Sequence, residues 1–126
     1  MTIFEKIVKG EIPCHKVWED ENHLAFLDIR PVAEGHTLVI PKLQVDPILS
    51  MKPEAFGQLW QAAREVGLIL QARLRCERVC FAVVGFEVPH VHIHVIPARG
   101  IQDFPWPGGR PVEQIKLSAL ATQLRA

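Results

Sequence analysis

The spacing of apolar residues predicts two helices in the first part of the chain. Near the start, Thr2 and Glu5 have the T-x-x-E spacing of a capping box, and the apolar residues around them share one helical face up to Gly10. Further along, Pro53 suits the first turn of a second helix of about 20 residues. An apolar stripe at helical spacing supports this helix: Phe56, Leu59, Trp60, Ala63, Val66, Gly67 and Leu70.

Five shorter segments have the alternation or the β-branched content that is typical of strands. They span residues 16–19, 23–28, 36–41, 79–84 and 90–96. The polar tripeptide 20–22 would close the first two into a hairpin, and the last two are expected to pair in one antiparallel sheet. Residues 105–109 are expected to be irregular, and a final short helix is expected after Ser118, with a start that the pattern leaves open by several residues.

Length and composition are those of an ordinary globular chain. Its 126 residues suffice for one domain. Fourteen acidic residues offset fourteen basic ones, so no overall field would recruit nucleic acid or an anionic membrane. We find no apolar segment that suits a membrane span or a signal peptide. A cytoplasmic location is therefore expected. The three cysteines show no CxxC pair, which favours free thiols in a reducing compartment.

The apolar run 90–97 contains three histidines at alternating positions, which is the main chemical signal of the sequence. In a strand, His90, His92 and His94 would share one face, with Val91, Ile93 and Val95 on the core side. Three interpretations fit this pattern. The histidines are polar residues of a half-exposed sheet, ligands of a metal ion, or groups that act on a phosphate as nucleophile and hydrogen-bond donors.

The run His90-Val-His-Ile-His-Val-Ile96 resembles the H-φ-H-φ-H-φ-φ motif, where φ is apolar, of the histidine-triad (HIT) family of nucleotide hydrolases and transferases. Blocks at 4–7, 10–13, 25–31 and 35–41 resemble further family blocks in the same order. The resemblance implies a single HIT domain over residues 1–126. It also implies an α+β fold with an antiparallel sheet of about five strands, a long helix packed on it and short terminal helices. Family members are usually homodimers, so a homodimer is expected.

The resemblance also assigns roles to the catalytic histidines. His92 corresponds to the nucleophile that becomes nucleotidylated, with its other ring nitrogen held by a backbone carbonyl. His94 is expected to donate to phosphate oxygens. His90 and His36 are expected to form a supporting hydrogen-bonded pair, although plain strand packing is the alternative for His36.

For the nucleotide, the resemblance places Asp28 at the ribose hydroxyls and the Gly85 backbone against the phosphate. Phe4, Phe26 and Ile29 would wall the base, with an ordinary core role as the alternative. His15 and His23 lie outside the matched blocks and are expected to be exposed and without chemistry.

The sequence departs from the family in two places. Family members usually carry Ser, Thr or Gln on the loop before the triad, where this chain has Glu87. An ionised carboxylate there must turn away, pair with a cation or stay protonated, so Glu87 is a candidate general acid or else a structural carboxylate of the loop. Some members bind structural zinc through an N-terminal C-x-x-C pair, and those positions appear here as Thr2 and Glu5. No metal and no cofactor is therefore expected.

The sequence thus predicts an enzyme that acts on nucleoside 5′-phosphate derivatives through a covalent nucleotidyl-histidine. A phosphoramidate of AMP or GMP, or a dinucleoside polyphosphate, is the expected substrate class. Two alternatives stay open: a regulatory module that binds purine nucleotides without turnover, and a histidine-based metal site. Covalent labelling separates the first alternative from the enzyme, and dependence on added zinc would favour the second.

Overall fold

The computed structural model describes residues 1–103 and 111–125 of the chain. Its helices, numbered α1 to α3, lie at Ile3–Val8, Pro53–Leu74 and Gln114–Arg125. Its strands, numbered β1 to β5, lie at Lys16–Glu19, His23–Leu27, Thr37–Pro41, Arg78–Ala82 and Ile93–Ala98. In the described ranges, no helix has the length and hydropathy needed to cross a membrane.

All five strands form one antiparallel sheet in the order β1-β2-β3-β5-β4. Since β5 lies between β3 and β4, His94 faces Leu38 on one neighbour and Ala82 on the other. The pairing of β2 with β3 continues beyond the strand ends, because the backbone N–H of Asp28 donates to the carbonyl of His36 at 2.9 Å. The expected α+β fold is confirmed, and this extension brings Asp28 and His36 side by side.

The two faces of the sheet carry separate apolar clusters. Helix α2 covers one face, where its buried stripe, which includes Leu59, Ala63 and Val66, packs against Val91, Ile93 and Val95. The opposite face packs against α1 in a smaller cluster formed by Phe4, Leu24, Phe26, Leu38 and Ile40. Because side chains alternate along an extended chain, His90, His92 and His94 belong to the α1 face.

Gly35 lies where the chain enters β3 under the end of α2. Its φ of +90° falls in the left-handed region that residues with a Cβ seldom adopt. A Cβ at this position would overlap Leu74 Cδ1 and lie 3.2 Å from Pro97 Cγ. Glycine therefore allows both the turn and the close approach that place His36 at the edge of the site.

Several predicted element bounds are wrong. Strand β5 begins at Ile93 rather than His90, because the backbone N–H groups of His90 and Val91 donate to the carbonyls of Val88 and Val45, which lie outside the strands. Strand β4 covers Arg78–Ala82 rather than 79–84. The final helix α3 is present and begins at Gln114, within the several residues before Ser118 that the pattern left open. The stretch 105–109, predicted to be irregular, lies outside the described residues.

His23 is not exposed as expected but buried, with 6% of its surface accessible. Asp20 in the preceding turn accepts hydrogen bonds from the backbone N–H groups of Asn22 and His23, and its carboxylate also lies 3.0 Å from His23 Nδ1. These contacts hold the pKa of Asp20 below its usual range, against the effect of its partial burial. His23 thus stabilises the β1–β2 hairpin. His15 is exposed, as predicted.

Candidate active site

The ring of His92 is held by the main chain of its own segment. Its Nδ1 lies 2.8 Å from the carbonyl oxygen of His90, which can only accept a hydrogen bond. Nδ1 therefore carries the proton, and Nε2 keeps its lone pair. The edge-to-face packing of Phe4 on the ring, at a centroid distance of 5.0 Å, further restricts its rotation. The expected backbone partner of the His92 ring is confirmed.

A second chain of hydrogen bonds fixes the rings of His36 and His94. The backbone N–H of Val32 donates to His36 Nδ1 at 3.1 Å, so this nitrogen must be the acceptor and His36 Nε2 carries the proton. His36 Nε2 lies 2.9 Å from His94 Nδ1 and donates to it. The remaining proton of neutral His94 is therefore on Nε2, which makes this atom a hydrogen-bond donor.

His90 lies behind the other rings and is fully buried. Its Nε2 donates to the Pro41 carbonyl at 2.8 Å, and its Nδ1 then accepts from the Thr2 hydroxyl at 3.2 Å. Thr2 Oγ1 in turn accepts from the backbone N–H of Glu5 at 3.1 Å, so the residue that caps α1 also orients this histidine. The predicted pair of His90 with His36 is wrong, because β3 and α1 supply the partners of His90 while His36 reaches His94.

Burial keeps the supporting rings neutral. It lowers the pKa of His94 to about 4, and the neighbouring His92 and His36 add to the shift. Burial also lowers the pKa of His36, against the opposing effect of the Asp28 carboxylate. The pKa of His90 is lowered by burial too, although its bond to the Pro41 carbonyl opposes this. These three supporting rings are therefore neutral at neutral pH, as their hydrogen bonds require.

Asp28 lies beside this chain of rings. Its Oδ2 is 3.5 Å from His36 Nε2, and its Oδ1 accepts from the backbone N–H of Arg30 at 2.8 Å. One carboxylate oxygen therefore faces the His36–His94 pair while the other orders the turn after β2. The side chain is 20% exposed, so a ligand in the adjoining cavity can still reach it.

A cavity of about 460 Å³ opens in front of His92 and His94. Its lining is mostly apolar with a small number of polar side chains, as is common for sites that bind small organic ligands. The lining includes five residues predicted from the sequence besides these two histidines: Phe4, Phe26, Asp28, Ile29 and Glu87. The prediction missed further lining residues: Ile3, Ile7, Ile12, Pro13, Cys14, His15, Leu27, Arg30, Leu38 and Val88.

Three predicted site residues do not line this cavity in the described part of the chain, namely His36, His90 and Gly85. His36 and His90 act behind the lining, through the rings that they contact. Gly85 has a φ of +76°, and a Cβ added there would meet no atom within 4 Å. Its contact with phosphate stays a prediction. His15, for which no chemistry was predicted, also lines the cavity, beside Pro13 and Cys14. The sequence does not indicate this position, because a single loop residue forms no pattern.

Asp28, His36 and His94 are close enough to be considered as metal ligands, since one ligand atom from each lies within 4.8 Å of the others. The hydrogen bonds of His36 do not suit that role. A metal ion would need the lone pair of His36 Nε2, whereas the donation from Val32 to Nδ1 places the proton on Nε2. Thr2 and Glu5, at the family's zinc positions, bond to one another in the capping box. Neither set, in this arrangement, fits a metal ion.

Comparisons with known proteins agree with this architecture. A family model described as the HIT domain matches residues 9–101. An uncharacterized HIT-like protein of Helicobacter pylori is 38% identical over 99 residues, which cover 76% of this chain and 95% of that protein. A solved HIT family member from Bacillus subtilis superposes with a TM-score of 0.84 at 31% identity, covering 98% of this chain and 94% of that one. A HIT family hydrolase from Legionella pneumophila superposes with a TM-score of 0.69 at 35% identity, covering 86% of this chain and 100% of that one.

Fold and site together define an antiparallel α+β domain that presents alternating histidines to an apolar cavity. With the family model matching most of its length, the chain belongs to the HIT family. The predicted resemblance is thereby confirmed.

Proposed function

We propose that the protein hydrolyses or transfers nucleoside 5′-monophosphate groups through a covalent bond between His92 Nε2 and the α-phosphorus. The observation that carries this proposal is the fixed state of His92. Its Nδ1–H is bound to the His90 carbonyl at 2.8 Å, which leaves an unprotonated Nε2 on a ring that lines the cavity. A neutral imidazole with a directed lone pair is a competent nucleophile without prior loss of a proton.

In the first step, Nε2 attacks phosphorus, and the bond to the leaving group breaks with its electron pair going to that group. His92 becomes a cation, which the His90 carbonyl stabilises through the retained Nδ1–H. His94 Nε2–H donates to a phosphate oxygen throughout. His94 does not transfer that proton, because its Nδ1 already accepts from His36 and loss of the Nε2 proton would leave an anionic ring.

In the second step, water attacks phosphorus, its proton passes to solvent, and the electron pair of the phosphorus–nitrogen bond returns to Nε2. An amine leaving group takes its proton from water at the open mouth in the first step, so protons balance over the cycle. The two candidate roles of Glu87, general acid or structural carboxylate of the loop, stay predictions. Its side chain is exposed, and burial is what would favour the neutral carboxyl that a general acid needs.

The cavity supports a nucleoside as the recognised part of the substrate. Phe4 and Phe26 pack edge to face at 5.6 Å and offer an apolar wall for a purine, as in an AMP or GMP derivative. Ile29, with 84% of its surface exposed, would gain contact with the base. Asp28 lines the same cavity with a partly accessible carboxylate, which can accept hydrogen bonds from ribose hydroxyls.

Rapid mixing with a nucleoside phosphoramidate labelled at phosphorus, followed by acid-free denaturation, tests the proposal. The wild-type chain should carry one acid-labile label per chain within a single turnover, and His92→Ala should carry none. Nucleotide binding without any label, at concentrations that saturate the cavity, would instead identify a module that binds without turnover. Retained turnover in His92→Ala would overturn the proposed nucleophile.

We further propose that the protein forms a homodimer through β4 and the adjoining side of α2. Strand β4 ends the sheet, and an antiparallel edge can pair with its own copy about a two-fold axis. Three exposed apolar side chains lie on or after this strand: Phe81, Val84 and Phe86. The Phe81 ring packs on Trp60 of α2 at 6.1 Å, which extends the apolar surface. Sedimentation of a monomer at all concentrations would reject the dimer.

A further inference from the structure

Glu87 lies at the junction of two depressions on the α1 side of the molecule. It lines the cavity that contains His92 and His94, and it also lines a neighbouring groove between the start of α1 and the loop before the triad. Ile3, Glu87 and Val88 belong to both linings, so the groove continues from the mouth of the cavity. A substrate with its phosphate at His92 therefore has an open path for its leaving group past Glu87.

The carboxylate of Glu87 is available to a ligand. Across residues 1–103 and 111–125, it takes part in no ion pair or side-chain hydrogen bond. The other carboxylate in the groove, that of Glu5, is already bound to the Thr2 backbone N–H at 2.8 Å. At neutral pH an exposed carboxylate carries a negative charge, so Glu87 is an unpaired negative charge at the point where the groove meets the cavity. The N-terminal residue Met1 lies elsewhere in the groove lining, and Arg30 lies in the cavity lining.

We propose that Glu87 selects substrates whose leaving group carries a positive charge, such as nucleoside phosphoramidates of diamines or basic amino acids, over those with an anionic leaving group, such as dinucleoside polyphosphates. This inference rests on the proposed function. It adds a specificity-determining residue to the reaction. The cationic end of the leaving group lies near the Glu87 carboxylate while phosphorus is at His92.

The size of the effect follows from the exposure of the carboxylate. Two unit charges about 5 Å apart in water-like surroundings change a rate or binding constant by about fourfold. A cationic leaving group gains this factor and an anionic one loses it. After screening by a low salt concentration, the preference for the cationic over the anionic leaving group is about tenfold. Near 0.5 M salt the preference should shrink to about twofold, because the Debye length falls to about 4 Å.

Three adenosine 5′-phosphoramidates of nearly equal size provide the test: those of 1,4-diaminobutane, butylamine and 4-aminobutyrate, whose far ends are cationic, neutral and anionic. For each, kcat/KM and Kd are measured at low and at high salt. At low salt the wild-type chain should prefer the cationic amide over the anionic amide by about tenfold, with the neutral amide in between. Glu87→Gln should abolish this order of preference among the three amides, and Glu87→Lys should reverse it. Glu65→Gln, on the exposed side of α2, is the matched control and should keep the wild-type order.

The results distinguish failure of the proposed function from failure of the inference about Glu87. If the wild-type chain binds the amides but forms no adduct and turns none over, the proposed function fails, and the order of the three Kd values still tests the role of Glu87. If all three amides react and bind alike in the wild type, or if Glu87→Gln keeps the order, the inference about Glu87 is overturned while the chemistry of His92 stands. Loss of activity on all three amides alike in Glu87→Gln, with an altered pH profile, would indicate a general acid instead.

Discussion

His36 Nε2 lies 2.9 Å from His94 Nδ1, and this hydrogen bond has only one allowed direction. The Val32 N–H occupies the acceptor position of His36, so His36 must donate and His94 must present its remaining N–H to the cavity. A backbone amide in a loop thereby sets the hydrogen-bonding character of a ring two contacts away.

Replacement of His36 should therefore impair catalysis through His94. In His36→Ala the His94 ring loses its donor, and its Nε2–H is no longer held toward the phosphate. We expect kcat to fall by about 100-fold with KM changed little, a loss typical of one donor to a developing phosphate charge. His36→Gln, whose amide can still donate to Nδ1, should recover part of the activity. Steady-state kinetics of both variants measures this, and equal loss in the two would contradict a positioning role.

Thr2 should stabilise the fold although it is only the second residue of the chain. Its hydroxyl accepts from the Glu5 N–H and donates to buried His90, so Thr2→Ala removes a helix cap and leaves a buried nitrogen without a partner. The free energy of unfolding should fall by about 1–2 kcal/mol. Thr2→Ser keeps both bonds and should stay close to the wild type. Urea denaturation compares the three chains, and a neutral Thr2→Ala would show that water replaces the hydroxyl.

Gly35 and Gly10 form a matched pair for separating backbone strain from steric overlap. Both have positive φ, +90° and +79°, but a Cβ would meet Leu74 only at Gly35 and has open space at Gly10. Gly10→Ala should lower the free energy of unfolding by about 1 kcal/mol, from backbone strain alone. Gly35→Ala should cost about 1–3 kcal/mol more, because α2 must shift. Thermal unfolding of both variants checks the difference, and equal losses would mean that Leu74 simply rotates away.

Stability should also depend on pH through three histidine rings whose pKa values are lowered by full or partial burial. The folded-state pKa values of His36, His90 and His94 lie below those of an unfolded chain, that of His94 at about 4. The unfolded state therefore binds more protons below about pH 6.5. The free energy of unfolding should be constant above about pH 7 and should fall as the pH drops from about 6.5 toward 4. Denaturation of the wild type and His94→Gln over this range measures it. An equally steep fall in both would exclude a contribution from His94.

The family resemblance was sufficient to predict the fold. The alternation of His90, His92 and His94 with apolar residues was sufficient to predict that they share one face of the sheet, because alternation is a local property. The identity of the hydrogen-bond partners could not be predicted in the same way. His36 reaches His94 rather than His90 because β3 lies directly beside β5, and the register of that pair is not encoded by any single segment. The burial of His23 depends likewise on its turn partner Asp20.

The cavity was predicted only where a family block supplied a residue, as for Phe4, Phe26, Asp28 and Ile29. Residues such as His15, Arg30 and Val88 reach it from three separate segments, each of which alone predicts an ordinary loop or strand end. The roles of the site residues, the homodimer and the cytoplasmic location stay predictions.

The position of α1 has one more consequence. The family model begins at residue 9, yet Phe4, which packs on His92, and Thr2, which holds His90, both precede it. A chain shortened by its first eight residues would still be recognised as a relative and would retain the sheet with α2 against it. The His92 ring would, however, lose its contact with Phe4, and His90 would lose the Thr2 hydroxyl, so the segment that the family model matches and the segment that holds these rings are different parts of the chain.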